Sequence, residues 1–63
     1  MATTTIHTIR GESITIVEEG KPEDVYERIA EAIDAGGLIG GRLKGGGHVG
    51  VASSQVSFFE VHV

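Results

Sequence analysis

The chain has 63 residues, only three of them aromatic, no cysteine and a formal net charge of −4. A domain of about 60 residues buries only about 60 % of the surface that its unfolded chain exposes, so the chain forms one domain, residues 1–63, with little margin of stability. Without cysteine, disulfides and thiolate metal sites are excluded, and three scattered histidines do not make a zinc motif. We therefore expect no metal and no cofactor, and a homodimer or larger ring that compensates for the small core.

Hydropathy and charge exclude two further classes of protein. No basic segment followed by an apolar run begins the chain, and no stretch approaches the roughly 18 apolar residues that span a bilayer. The sequence predicts a cytoplasmic protein without membrane contact. Residues 18–34 carry seven acids and two bases, whereas residues 36–63 carry one acid, two bases and two histidines. No clustered basic face results, so general nucleic-acid binding is not expected.

The first two elements in chain order are strands. Residues 3–9 (TTTIHTI) and 13–17 (SITIV) are rich in β-branched side chains, which pack well on a pleated sheet. The intervening residues 10–12 predict a turn, and the two strands are expected to form an antiparallel hairpin. Ile14 and Ile16 should share one face of the sheet, with Val17 on the other.

A helix is predicted within residues 18–37 (EEGKPEDVYERIAEAIDAGG). Pro22 suits the first helical position, because its missing N–H would be unpaired there. Asp24 and Arg28 are four residues apart and are expected to pair. A left-handed cap at Gly36 or Gly37 should end the helix. Spacings of four and three define one apolar stripe: Val25, Ile29, Ala32 and Ile33.

Three short strands follow, over residues 38–43, 48–52 and 55–63, with a loop at 44–47 and a tight break at 53–55. In the last strand we expect Val56 and Phe58 on one face. Because this strand is apolar on both faces, it predicts a buried or subunit-bridging position. The residues expected at an oligomer interface are Phe58, Phe59, Val61 and Val63. The order ββαβββ predicts an α+β fold with one mainly antiparallel sheet of about five short strands, one helix on a face, and oligomers formed by a strand or a sheet face.

The run from the KPEDVYERIAEAIDAGG helix through LIGGRL and a glycine-bearing turn to HVGVASSQVSFFEVHV resembles a small family of actinobacterial domains of unknown function. Members of that family read as a strand, a SPEEVE-type helix, a GGLL strand, a short turn, a VLVPA strand and a strand like IAYVEI. The resemblance covers residues 10–62 and implies the strand–strand–helix–strand–strand–strand fold, with a phage-encoded relative as one expectation. This chain departs from the pattern in its additional glycines and in Lys21 at the helix-capping position.

The glycine-rich stretch 36–50 leaves two interpretations open. Residues 45–50 (GGGHVG) match G-x-G-x-x-G, but a strand-like segment follows instead of the helix that a dinucleotide-binding motif requires. A plain hairpin corner is one interpretation, and Gly40 and Gly41 then mark a bulge or a close approach within a strand. The other is a loop that folds over an anion with its backbone amides. The candidate ligand-binding residues are Arg42, Lys44, Gly45, Gly46, Gly47 and His48.

Other polar residues give weaker indications. His7 and His62 could meet across the sheet and form a site with Glu60, although isolated strand histidines on a solvent face are more common. Ser53 and Ser54 suit a turn, and we expect no catalytic residue. Acidic side chains on the outer helix face are either simply solvated or a docking surface for a basic partner. The candidate partner-binding residues are Glu23, Glu27, Glu31 and Asp34.

The sequence favours a small, non-catalytic, self-associating protein that binds or inhibits a larger protein partner. The alternative is an oligomeric sponge that sequesters a small anionic, nucleotide-like ligand through the glycine-rich loop. A small structural or assembly component comes third. An enzyme ranks last, because the sequence shows no nucleophile next to a general base.

Overall fold

The computed structural model describes residues 1–63 and contains one helix and five strands. Strands pair in the order β4-β3-β2-β1-β5, and all neighbours are antiparallel. The predicted α+β fold with the order ββαβββ is therefore confirmed. The elements are β1 (Ala2–Thr8), β2 (Ser13–Glu18), α1 (Pro22–Asp34), β3 (Leu38–Leu43), β4 (His48–Ala52), a short 3-10 turn (Ser53–Gln55) and β5 (Val56–His62).

The helix covers one face of the sheet and leaves the other uncovered. In β1, burial alternates along the strand, because successive side chains of a strand point to opposite faces. The covered face and the helix together form the core: Ala2, Ile6, Ile16, Val25, Ile29, Ile39 and Val51. We call the opposite side the open face. Strand register places on it the following residues of the five strands: Thr3, Thr5, His7, Ser13, Thr15, Val17, Leu38, Gly40, Arg42, His48, Gly50, Ala52, Phe58, Glu60 and His62.

The ends of the helix follow the prediction. Pro22 is the first helical residue. Gly36 has a φ of +71°, and the Gly37 N–H donates to the Ala32 carbonyl at 2.8 Å, while the Gly36 N–H donates to the Ile33 carbonyl at 3.0 Å. These two bonds form a Schellman cap, which needs a residue that tolerates positive φ. The predicted apolar stripe is also confirmed, since Val25 and Ile29 are buried and Ala32 and Ile33 pack against the core.

The expected pairing of Asp24 with Arg28 is wrong. Arg28 instead forms a salt bridge with Glu18 at the end of β2. The Glu18 side chain is only 12 % exposed, whereas Asp24 lies in the exposed first turn of the helix. An ion pair with the largely buried Glu18 carboxylate lowers the free energy more than an ion pair with the exposed Asp24 would, because water screens an exposed pair. This accounts for the pairing of Arg28 with Glu18.

The last strand differs from the prediction in its burial and in its register, whereas a contact of this strand with a second copy stays a prediction. β5 is an edge strand paired with β1 of its own chain, and a bulge at Ser57 shifts the register between Phe58 and Val56. Val56 therefore lies on the covered face and not beside Phe58. Of the residues expected at an oligomer interface, Phe59 and Val61 pack against the core, while Phe58 and Val63 are exposed.

A narrow seam divides the sheet between β2 and β3. These strands share only two paired positions, Ile16 with Leu43 and Val17 with Arg42, whereas the other neighbouring strands share five or six. Gly41 lies at this seam: a Cβ atom there would stand 3.1 Å from the Ile16 Cδ1 atom. The strand glycine thus marks a close approach, and β3 pairs with β4 without a bulge.

Candidate functional sites

The loop between β3 and β4 is a tight hairpin corner built on glycine. The Leu43 N–H donates to the Gly47 carbonyl and the Gly46 N–H donates to the Leu43 carbonyl, both at 3.0 Å. Gly46 and Gly47 have φ angles of +107° and +82°, in the left-handed region that favours glycine. The chain therefore turns within residues 44–47, as the sequence predicted.

An open pocket of about 370 Å³ lies at this corner. Its polar side is formed by Arg42, Lys44 and His48, and Arg42 and His48 are cross-strand partners on the open face. The backbone of the loop contributes through Gly46 and Gly47. The structure thus brings together five of the six candidate ligand-binding residues, and Gly45 lies in the same loop outside the lining. The apolar lining residues are Met1, Val17 and Leu43.

The pocket is electropositive and holds unused hydrogen-bond donors. Arg42 has one acidic neighbour, Glu19, with 3.8 Å between Nη2 and Oε1. Both side chains are more than half exposed, so this pair holds the guanidinium only weakly. The N–H of Gly47, which lines the pocket, donates to no acceptor within the chain, and neither does the N–H of Gly45, which lies in the same loop outside the lining. Two cationic side chains beside free loop amides form the kind of concavity that binds anions.

A second polar cluster crosses three strands on the open face. The Ser13 hydroxyl lies 3.1 Å from His7 Nδ1, and His7 Nε2 lies 2.8 Å from Glu60 Oε1. Glu60 Oε2 is 3.7 Å from His62 Nε2. The His7 ring stacks on Phe58, with 4.1 Å between the ring centroids and 13° between the planes. We call Ser13, His7 and Glu60 the open-face triad.

Strand register explains this cluster. Ser13 and Phe58 are the direct partners of His7 on either side, and Glu60 lies diagonally across from it. The sequence indicated that His7, His62 and Glu60 could meet, but it missed Ser13. The turn predicted at residues 10–12 is centred on Gly11 and would have placed Ser13 opposite Ile9, whereas the observed register is centred on Arg10 and places it opposite His7. The contact between the Ser13 hydroxyl and the His7 imidazole was therefore not anticipated from the sequence.

The two histidines beside Glu60 lower the pKa of its carboxyl group. The hydrogen bond from His7 holds the pKa of Glu60 below its ordinary value; partial desolvation opposes this, and the charges of His7 and His62 reinforce it. No group of three or more histidine, aspartate or glutamate side chains is placed to hold a metal ion.

The lowered pKa of Glu60 predicts a small loss of stability in acid. A carboxyl group with a depressed folded-state pKa stabilises the protein above its unfolded value of 4.5, and that contribution is lost as the pH falls through the folded value. The midpoint of urea unfolding should therefore fall more steeply below pH 4.5 in the parent protein than in Glu60→Gln. Parallel curves for the two proteins would contradict this assignment.

The outer face of α1 carries an unbalanced negative charge. The four candidate partner-binding residues are all exposed. Arg28, the only cation within the helix, is engaged with Glu18. Glu27 and Glu31 are one helical turn apart and are neighbours on this surface. We call Glu23, Glu27, Glu31 and Asp34 the acidic helix face.

The length and hydropathy of α1 fall short of what a membrane-crossing helix requires. Comparisons with protein-family models, with curated proteins and with solved structures gave no match to this chain.

Proposed function

We propose that this chain is a small, non-catalytic binding protein that takes up an anionic, nucleotide-like ligand at its glycine-rich corner. The observation that carries this proposal is the pocket in which Arg42, Lys44 and His48 converge with the loop backbone. Charged groups and amides that converge on one concavity are typical of ligand sites, whereas a plain hairpin needs none of them. We therefore favour binding of a small anionic ligand over binding of a larger protein partner.

The two sides of the pocket suit the two parts of such a ligand. Arg42 and Lys44 supply charge-assisted donors for a phosphate group, and Arg42 can engage two of its oxygens. Val17 and Leu43 offer apolar contact for a base or sugar. The volume of about 370 Å³ lies at the lower end of the roughly 300–1,000 Å³ that small-molecule sites occupy, which favours a mononucleotide-sized ligand.

Self-association is part of this proposal. The pocket is open to solvent on one side, so a second copy would complete the enclosure of the ligand. Phe58 and Val63 are exposed apolar residues at the free edge strand β5 and remain the proposed contact between copies. Native mass spectrometry of gently purified protein would report the number of copies and any bound mass together.

Removal of the two cations tests the ligand site. Arg42→Ala/Lys44→Ala should weaken binding of adenosine monophosphate about 10²- to 10⁴-fold, because each of the two charge-assisted hydrogen bonds contributes about 1.5–3 kcal/mol. Isothermal titration calorimetry is the measurement, with adenosine as the uncharged ligand and inorganic phosphate as the anion without a base.

The matched control is Arg10→Ala/Lys21→Ala, which removes the same charge from exposed positions outside the pocket. This control should bind like the parent protein. Equal affinity of the parent for adenosine and its monophosphate, or full binding by Arg42→Ala/Lys44→Ala, would refute the anion site.

The acidic helix face supports a second candidate function, binding or inhibition of a larger protein through a basic surface. Its four carboxylates have no basic partner on the helix. Glu27→Lys/Glu31→Lys should abolish binding to such a partner while the circular dichroism spectrum is retained, since both side chains are exposed. Glu12→Lys, an exposed acid off the helix, is the control. Partner binding that survives the double reversal would contradict this function.

A further inference from the structure

We propose that Ser13 is an activated nucleophile that reacts with acyl and phosphoryl electrophiles, with His7 as its base and Glu60 as the residue that positions the base. This inference stands on the open-face triad and does not depend on the anion pocket. Two successive contacts link hydroxyl, imidazole and carboxylate: 3.1 Å from Ser13 Oγ to His7 Nδ1, and 2.8 Å from His7 Nε2 to Glu60 Oε1.

The partners of His7 define which ring nitrogen carries the proton. An ionised carboxylate only accepts hydrogen bonds, so Nε2 carries the proton and donates to Glu60. In the neutral ring Nδ1 is then unprotonated and accepts the bond from the Ser13 hydroxyl. A hydroxyl that already points its proton at a free imidazole nitrogen is the arrangement that general-base activation of serine requires.

The sheet holds this arrangement in place. His7 lies on β1 with neighbours on both sides, its two ring nitrogens are both bonded, and its plane is fixed by the stack on Phe58. The His7 side chain is 27 % exposed, which limits competition from water, while Ser13 is exposed to reagents. Ser53, Ser54 and Ser57 have no such base and serve as internal references.

The reaction with a fluorophosphonate illustrates the proposed step. Ser13 Oγ attacks phosphorus, an O–P bond forms, the P–F bond breaks, and fluoride leaves with its electron pair. The hydroxyl proton moves to His7 Nδ1, and the resulting imidazolium is stabilised by the Glu60 carboxylate. An activated ester would acylate the same oxygen, with a phenolate or similar anion as the leaving group.

The test is the rate and site of labelling by a fluorophosphonate, followed by intact mass and peptide mapping. We expect modification at Ser13, at least ten times faster than at any other serine and lost in 8 M urea. Ser13→Ala should abolish it. His7→Gln should slow it by about 10²- to 10⁴-fold, the usual contribution of a general base.

Glu60→Gln separates positioning from structure. It should slow labelling of folded Ser13 and leave the urea-unfolded rate unchanged. If His7→Gln fails to fold, the comparison of parent, Ser13→Ala and Glu60→Gln remains decisive. Labelling of Ser13 no faster than that of Ser53, Ser54 and Ser57, or as fast in urea as in the folded state, would overturn the proposal.

Discussion

Replacing Thr4 with valine should raise the free energy of unfolding by about 1–2 kcal/mol, because a buried hydroxyl without a partner carries an uncompensated desolvation penalty of roughly 1–3 kcal/mol. Thr4 is fully buried at the centre of β1, and its Oγ1 atom has no hydrogen-bond partner. Valine has nearly the same shape, and both residues are enriched in strands. Urea unfolding monitored by circular dichroism is the measurement.

The matched control for this substitution is Thr5→Val on the neighbouring position of the same strand. Thr5 is half-buried and lies on the open face, where its hydroxyl can reach water. Its replacement should change the free energy of unfolding by less than about 0.5 kcal/mol. A Thr4→Val protein less stable than the parent would show that the hydroxyl is paired in solution.

Ile16→Ala should be strongly destabilising. Ile16 is fully buried on β2 beneath the helix, and truncation of a buried isoleucine removes about 2–5 kcal/mol of stability. Most domains have only about 5–15 kcal/mol in total, and a chain of this length is expected near the lower limit. The variant should therefore be partly unfolded at 37 °C.

Ile9→Ala is the control for Ile16→Ala, since Ile9 is 63 % exposed beside the β1–β2 turn. It should leave the unfolding midpoint nearly unchanged. Ile16 also pairs with Leu43 at the seam, so Ile16→Ala should weaken the proposed binding of adenosine monophosphate at the glycine-rich corner at temperatures where the chain is still folded. Equal midpoints for the two variants would contradict the assignment of Ile16 to the core.

Local chemistry made most of the fold predictable. Glycines at turns, the proline at the helix start and runs of β-branched residues are short-range signals. They placed each strand within one residue of its observed bounds and the start of the helix at Pro22. The same signals predicted that Arg42, Lys44 and His48 lie close together, because a hairpin brings the residues that flank its turn into contact. Such sites are readable whenever the chain between their members is short.

Contacts between distant parts of the chain were not predictable in this way. No pattern in residues 56–62 predicts that β5 pairs with β1. The bulge at Ser57, which was not predicted either, determines which side chains of β5 face the helix. The triad depends on that pairing, because Glu60 and His7 are 53 residues apart in sequence. The pairing of Arg28 with Glu18 was likewise not predictable, because it depends on the burial of the Glu18 carboxylate, which is known only from the packed structure.

The short pairing between β2 and β3 divides the sheet into two parts that can open separately. Three strands, β5, β1 and β2, form one ladder, and the β3–β4 hairpin is a second ladder. Within the sheet, the two are joined by two paired positions and by the hydrogen bond from the Lys44 N–H to the Thr15 carbonyl. Amide protons of the hairpin should therefore exchange with solvent through a local opening that leaves the three-stranded ladder intact. Met1 and Val17 lie on one side of this seam, and Arg42, Lys44 and His48 lie on the other. A ligand in the pocket would contact both parts and hold them together. Its binding would therefore slow the exchange of amide protons along β3 and β4.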